Sequence, residues 1–515
     1  MLLTHHTATP MLSTESSSAI RPGTQTTGLN IALYWCALAL LAGVVLFGLV
    51  KPLLMLGRFI PLDPNEGWNA YFGLRAIDGG QLYPPPSSLL TNNYPPLSFY
   101  IVGAVGRLTG DNIFAGRVIA LLSLFCVSWS IYYWLRLTGS AVKIGLLGAA
   151  VFLAYGVTYG RDYVAMNDPQ WLAHAIMMCG LLVLWQRPNS TRHIVAASIL
   201  MMAGGWTKHL LVPVPLAASL WLLWRSRPAF ATWAVCSTLV LAASAGLVWW
   251  LYGAPFFDSL LAPRQYLRRQ AISTTAGALK CFAPVLVLWL ITLVRIRFNE
   301  RVGFVSLYLL ISGVIGIVAS GGEGVDTNAF FDAMIAGSLI SALAVEALWD
   351  RRAAGESVQN GDGSLRAARG PAAAVALAAC LVAYAVSLAR PQLEQIENVG
   401  ALEKAALEDI DVIRAQGHGR AACELPGLCY WAKSQFMVDF FFFGQRLKTG
   451  VIPASTCATV FGSGMIPLVQ LDPKPKARQR LLPEYCNEMI ASNYRLIRES
   501  SFGPLMVPSG TSSLK

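Results

Sequence analysis

Charge is what this sequence has least of. Only 13% of its 515 residues are Asp, Glu, Lys or Arg, against about 25% in a typical soluble domain. A chain so sparsely charged cannot clothe a water-facing surface of its size, which excludes an ordinary soluble globule. Signatures of nucleotide chemistry are lacking as well: there is neither a Rossmann glycine fingerprint nor a P-loop. The 10 cysteines and 6 histidines contain no CxxC pair and no Cys/His cluster at zinc-site spacing. No clear internal repeat is present, which weighs against transporters built from paired halves. The first apolar run is too long for a signal-peptide core and lacks a small-residue cleavage site, so a retained signal anchor is expected.

In place of charge there are long apolar runs. Hydrophobic residues make up 55% of the chain and the mean hydropathy is +0.51. The runs 30–50 and 114–135 contain no carboxylate, and each can cross about 30 Å of hydrocarbon at about 1.5 Å per residue. Eleven spans are expected, near 30–50, 113–136, 142–160, 168–186, 193–207, 209–225, 230–252, 276–294, 302–320, 328–349 and 371–389, with 193–225 alternatively one re-entrant unit.

The net charge of +11 is distributed in a way that explains it. Alternate short loops hold Arg136 and Lys143, then Arg187 and Arg192, then Arg225 and Arg227. Next come Arg295, Arg297 and Arg301, and finally Arg351, Arg352, Arg366 and Arg369. Under the positive-inside rule these loops face the cytoplasm. Arg21 against Lys51 and Arg58 argues the other way and is outvoted. The charge therefore reads as topology, and nucleic acid is not an expected partner.

The expected fold class is an all-α polytopic membrane protein with a small C-terminal α/β extracytoplasmic domain. Residues 1–29 read as a disordered cytoplasmic tail, 30–390 as the membrane domain with an outer loop at 51–112, and 391–515 as the extracytoplasmic domain. Within the outer loop, 97–108 is apolar but too short to span and suits a helix lying in the interface. The C-terminal part begins with a helical stretch near 398–416, followed by short apolar runs between turns. Its Cys423, Cys429, Cys457 and Cys486 fit two disulfides in an oxidising compartment, the alternative being buried thiols.

Carboxylates at a membrane are costly, and so mark candidate chemistry. Pro64 suits a first helical turn and Asp63 its N-cap, which puts Glu66 on the same face three residues on. The pair can hold a divalent cation or share general-base work; equally, it can form a capping box. Asp168 emerges on the same side before Pro169, with the same two readings. Lys208 and His209 follow another span on that side, where Lys208 either snorkels or neutralises a phosphate. Arg264, Arg268 and Arg269 add cations in an outer loop or meet anionic headgroups. Glu323, Asp326, Asn328 and Asp332 occupy a Gly-rich outer loop leading into a span, where a cap or turn is the plain alternative.

Taken in order, these segments resemble the polytopic glycosyltransferases of the GT-C superfamily. The likeness is to the bacterial protein mannosyltransferase and aminoarabinose transferase type, and it covers about residues 30–350. It rests on the acidic stretch Asp63–Glu66, the element Asn93-Tyr94-Pro95-Pro96-Leu97, Arg117, Asp168, Thr207-Lys208, and the Asn328 loop. The family motif often has Asp and Glu adjacent; here Asn65 precedes Glu66 and the Asp falls at 63.

The resemblance implies an inverting transfer of a sugar from a polyprenyl-phosphate donor to a glycan, lipid or protein hydroxyl at the outer face of the cytoplasmic membrane. Asp63 or Glu66 would be the base, with Asp168 orienting the acceptor or sharing a metal with them. Lys208 would bind the phosphate, helped by Arg264 or Arg268. Tyr94, His209 and Asn328 complete the candidate binding set. A divalent ion is the one cofactor implied. A transporter or lipid flippase, and a non-catalytic assembly protein, are the competing readings.

Overall fold

The computed structural model describes residues 22–295, 299–349, 369–473 and 481–510. Each of the eleven expected spans is a helix: α1 (Pro22–Met55), α4 (Asn112–Leu137), α5 (Val142–Thr158), α6 (Gln170–Gln186), α7 (Thr191–Thr207), α8 (Pro213–Arg225), α9 (Arg227–Tyr252), α11 (Arg268–Arg295), α12 (Glu300–Ala319), α13 (Phe331–Trp349) and α14 (Arg369–Glu397). Seven are long and apolar enough to cross a membrane by length and composition. The other four, α5 to α8, have only 13 to 17 residues, or about 20–26 Å at 1.5 Å per residue. Two of the expected domain edges move. The tail at 1–29 lies outside the described residues as far as Arg21, and from Pro22 the chain is already helical. At the other end α14 passes residue 390 and runs to Glu397.

Burial decides which helices form the centre. In α13 the apolar window is 83% buried, whereas in α9 it is 6% buried. A helix that is apolar all round is either enclosed or lipid-facing; α13 is the first kind and packs against α5, α11, α12 and α14. Between α7 and α8 the chain breaks at 208–212, so these are two helices and not one re-entrant unit.

The outer loop folds into α2 (Pro64–Ile77) and α3 (Leu97–Thr109), the short apolar stretch expected to lie in the interface, and the short α10 (Ala254–Leu260) follows α9. The C-terminal domain carries α15 (Val399–Gln416), α16 (Pro426–Trp431), α17 (Phe440–Lys448), α18 (Glu484–Asn493) and a five-stranded sheet of order β2-β1-β3-β5-β4. β1 (Arg420–Cys423) pairs in parallel with β2 (Gln435–Phe436) and β3 (Val469–Gln470); β5 (Gly503–Pro508) is antiparallel to β3 and to β4 (Tyr494–Ser500). Disulfides join Cys423 to Cys429 and Cys457 to Cys486.

This domain docks on the outer loop and on the turn between α12 and α13 through specific contacts. The Tyr71 hydroxyl donates to the Ser434 carbonyl at 2.7 Å, and Trp431 Nε1 donates to Asp111 Oδ2 at 2.9 Å. Lys448 pairs with Glu323 at 2.7 Å. Gly67 meets Gly427 backbone to backbone, so closely that a Cβ on Gly67 would sit 2.1 Å from the Gly427 nitrogen.

Candidate active site

The site begins with a buried ion pair that ties three segments together. Glu66, in the first turn of α2, is fully buried. Its Oε1 accepts from Arg117 Nε at 2.8 Å and its Oε2 from Arg117 Nη2 at 2.7 Å. The Leu62 amide donates to Oε2 at 3.0 Å and the Asn167 amide to Oε1 at 3.2 Å. Arg117 also donates to the carbonyls of Met55, Arg58 and Ile60. A buried pair is tolerable when its remaining hydrogen-bonding positions are filled like this.

The segments that the fork ties together also carry Asp63 and lead into Asp168. Asp63 caps α2, its Oδ1 accepting from the Asn65 amide at 2.8 Å. Asn69 donates to the Asn167 carbonyl, and Asn167 Nδ2 to the Glu66 carbonyl, pinning the 165–168 loop to α2. Ala165 in that loop has φ 53, a left-handed conformation that a non-glycine residue holds only where its surroundings enforce it. Gly116 leaves room for Asn167, since a Cβ there would lie 1.8 Å from Asn167 Oδ1.

Asp63 and Glu66 thus have different characters. Both Glu66 oxygens are committed, which leaves it no lone pair to act as base or metal ligand; this departs from the expected role. Asp63 is half-buried, and its Oδ2 carries no hydrogen bond among the described residues. Burial pushes its carboxyl up to about 7, helped by the carboxylates of Glu66, Asp168 and Asp326 and opposed by the Asn65 amide.

Asp168 is buried, and its Oδ1 accepts from Lys208 Nζ and from the Gln170 amide, each at 2.8 Å. Its Oδ2 is buried without a hydrogen-bond partner. Lys208 is also buried, with its ammonium 4.8 Å from the centre of the Tyr94 ring. Burial pulls its pKa down, but Asp168 and Tyr94 more than offset this and hold it charged. His209 alongside is pushed down to about 4 by burial and by the charges of Lys208 and Arg264, so it is a neutral ring.

Arg264 places its guanidinium 5.2 and 5.0 Å from the ring centres of Phe441 and Phe442. Asn328 donates to Gln170 Oε1 at 3.2 Å, and Gln170 Nε2 lies 2.9 Å from His174 Nε2. Arg268 does not join the group; it opens α11 exposed to solvent, as does Arg269. Among the described residues no three His, Cys, Asp or Glu side chains converge as a metal site. A divalent ion would have to draw on the free oxygens of Asp63 and Asp168, because Glu66 has none to give.

One functional candidate went unread in the sequence. Asp439 caps α17, accepts from Trp68 Nε1 at 3.0 Å and is pushed up to about 6 by burial. It feels the charge of Arg264. The cue available in the sequence was an Asp directly before the run Phe440 to Phe443, an N-cap pattern. Nothing local indicated that this cap would sit against Trp68, 371 residues away in the chain.

The site thus sets a buried, paired lysine among carboxylates at one end of a helical bundle, under an α/β domain. The chain shares its fold with two solved structures of ArnT. It is similar to the crystal structure of ArnT from Cupriavidus metallidurans in the apo state, with TM-score 0.59 and 12% identity over 94% of this chain and 98% of that one. It is similar also to ArnT from the same organism bound to undecaprenyl phosphate, with TM-score 0.56 and 14% identity over 96% and 99%. Residues 91–345 match the family model described as a 6-pyruvoyl-tetrahydropterin synthase related domain, membrane protein. No curated protein sequence matches the chain.

Proposed function

We propose that the chain transfers a sugar from a polyprenyl-phosphate carrier to a hydroxyl acceptor at the outer face of the cytoplasmic membrane, with inversion. The observation that carries this reading is the nearness of unlike groups: a half-buried Asp63 with an uncommitted oxygen, which feels the charge of Asp168, and a buried, charged Lys208 held by that same Asp168. The undecaprenyl phosphate bound by the similar ArnT structure supports the class of donor.

Asp63 takes the proton from the acceptor hydroxyl as its oxygen attacks the anomeric carbon. The bond from that carbon to the phosphate oxygen breaks, and the lipid phosphate departs with the electron pair. Lys208 and Arg264 stabilise the negative charge left on it. Asp168 positions Lys208 through Oδ1 and can orient the acceptor through Oδ2. Tyr94 packs under the Lys208 ammonium, while His209, Asn328 and Asp439 line the same region. If a divalent ion binds, Asp63 and Asp168 would hold it and it would add further positive charge.

The test uses the purified full chain in lipid nanodiscs with a panel of radiolabelled polyprenyl-phosphate sugars, reading release of the sugar. The wild type should release label from at least one donor. Asp63→Asn should lower the rate about 10²–10⁴-fold, as loss of a general base does, and Lys208→Met about 10²–10³-fold. Unchanged turnover in Asp63→Asn, or no release from any donor, would overturn the proposal.

A further inference from the structure

The structure holds a cavity of about 390 Å³ toward the far end of α2 from Asp63. Fifteen residues of helix separate Asp63 from Asp78 at its rim, which is about 22 Å. It lies between α2, the interfacial α3 and the turn after α16, with Gly103 and Gly106 on its floor and Tyr71 and Tyr430 on its wall. Its size suits a small headgroup and not a bare ion.

Three features of the lining bear on what it would hold. First, two cations border it. Arg107, in the last turn of α3, makes only a loose 3.9 Å pair with Asp78, both side chains being more than half exposed. Lys433 rests its ammonium 5.6 Å from the Tyr430 ring centre and has no carboxylate partner among the described residues. Second, Ser434 is 95% buried, yet its hydroxyl has no hydrogen-bond partner. A buried unsatisfied hydroxyl lining a cavity calls for an explanation.

Third, Lys433 is held at φ 57. The Lys433 amide donates to the Tyr430 carbonyl and the Ser434 amide to the Cys429 carbonyl, each at 3.0 Å. These are the two bonds of a Schellman cap, whose left-handed position glycine fills at least cost. The turn therefore carries a lysine where backbone energetics favour glycine, and it holds that lysine at the cavity.

From these features we infer that the cavity is a second ligand site, one that binds a phosphoryl group. Arg107 and Lys433 would supply the charge, with the guanidinium fork suited to phosphate oxygens, and the Ser434 hydroxyl, enclosed in this conformation, would donate one hydrogen bond after its side chain turns toward the ligand. The attached glycerol or sugar packs on Tyr71. Leu108 on the neighbouring surface is 87% exposed, so α3 brings the cavity to the level where lipid headgroups lie. A soluble phosphate ester offers the same chemistry. The site is independent of the proposed transfer reaction.

The test titrates the purified full chain, in an uncharged maltoside micelle, with dioleoylphosphatidylglycerol, and separately with glycerol phosphate. Saturable lipid binding that glycerol phosphate does not displace would assign a lipid headgroup. Comparable binding of glycerol phosphate alone would assign a soluble ester. In either case Arg107→Ala and Lys433→Gly should each weaken binding at least five-fold, while Lys433→Gly melts no lower than the wild type because its cap is relieved. Binding unchanged in both variants, or no saturable binding of either probe, would overturn the inference.

Discussion

Asp63 and Glu66 are three residues apart on one helix turn, yet burial and partners give them opposite chemistry. Removing the Arg117 guanidinium would strand a fully buried carboxylate, a change that typically costs about 3–5 kcal/mol. Arg117→Met should therefore lower the thermal unfolding midpoint in detergent more than Glu66→Gln, in which the neutral amide keeps part of the network. A smaller loss in Arg117→Met would contradict the buried pairing. For Asp63 the prediction concerns pH. Its carboxyl, raised from about 4 to about 7 in the fold, must be ionised to accept a proton, so turnover should rise with pH through a limb near 7. Stability should move the other way. The folded state holds this proton more tightly than the unfolded chain does, so the contribution is complete below about pH 4 and is lost as pH rises through about 7. In Asp63→Asn the limb near 7 should vanish from the stability profile; its persistence would assign it to another group.

At the scale of elements, α2 is the part that meets everything else, and its fit depends on glycine. A Cβ on Gly67 would lie 2.1 Å from the Gly427 nitrogen and 2.3 Å from the Pro426 carbonyl carbon, and backbone atoms cannot swing aside as a side-chain tip can. Gly67→Ala should force α2 and α16 apart, seen as faster proteolysis of the C-terminal domain, whereas Gly57→Ala, with open space around it, should change nothing. This contact also shows where sequence reading stops. The start of α2 was legible because a cap is local: Asp63, Pro64 and a helical pattern lie within a few residues. So were the eleven apolar helices, whose signal is composition over a window. The Glu66–Arg117 fork spans 51 residues and the Trp68–Asp439 bond 371; no periodicity encodes such pairings. Whether Asp63 or Glu66 could act as base turned on those partners, so spacing alone left the two equivalent.

The whole molecule is asymmetric along the helix axes. At one end lie the carboxylates, Lys208, the docked α/β domain and both disulfides. At the other end Arg301 pairs with Glu346 at 3.2 Å and donates to Ser140, and Arg225 pairs with Glu300, tying the opposite tips of α4, α8, α12 and α13. Basic residues such as Arg136, Arg187 and Arg192 belong to this second end, and under the proposed topology, drawn from the positive-inside rule, it would be the cytoplasmic one. Sidedness then follows for single cysteines introduced into a background lacking the six free ones. Ser455→Cys, exposed in the α/β domain, should react with a membrane-impermeant maleimide in intact cells. Asn189→Cys, exposed between α6 and α7, should react only after permeabilisation. The reverse pattern would turn the molecule over. It would put both disulfides in a reducing compartment and Asp63 on the side opposite the one proposed for transfer, so this labelling tests the orientation on which the proposed site of reaction depends.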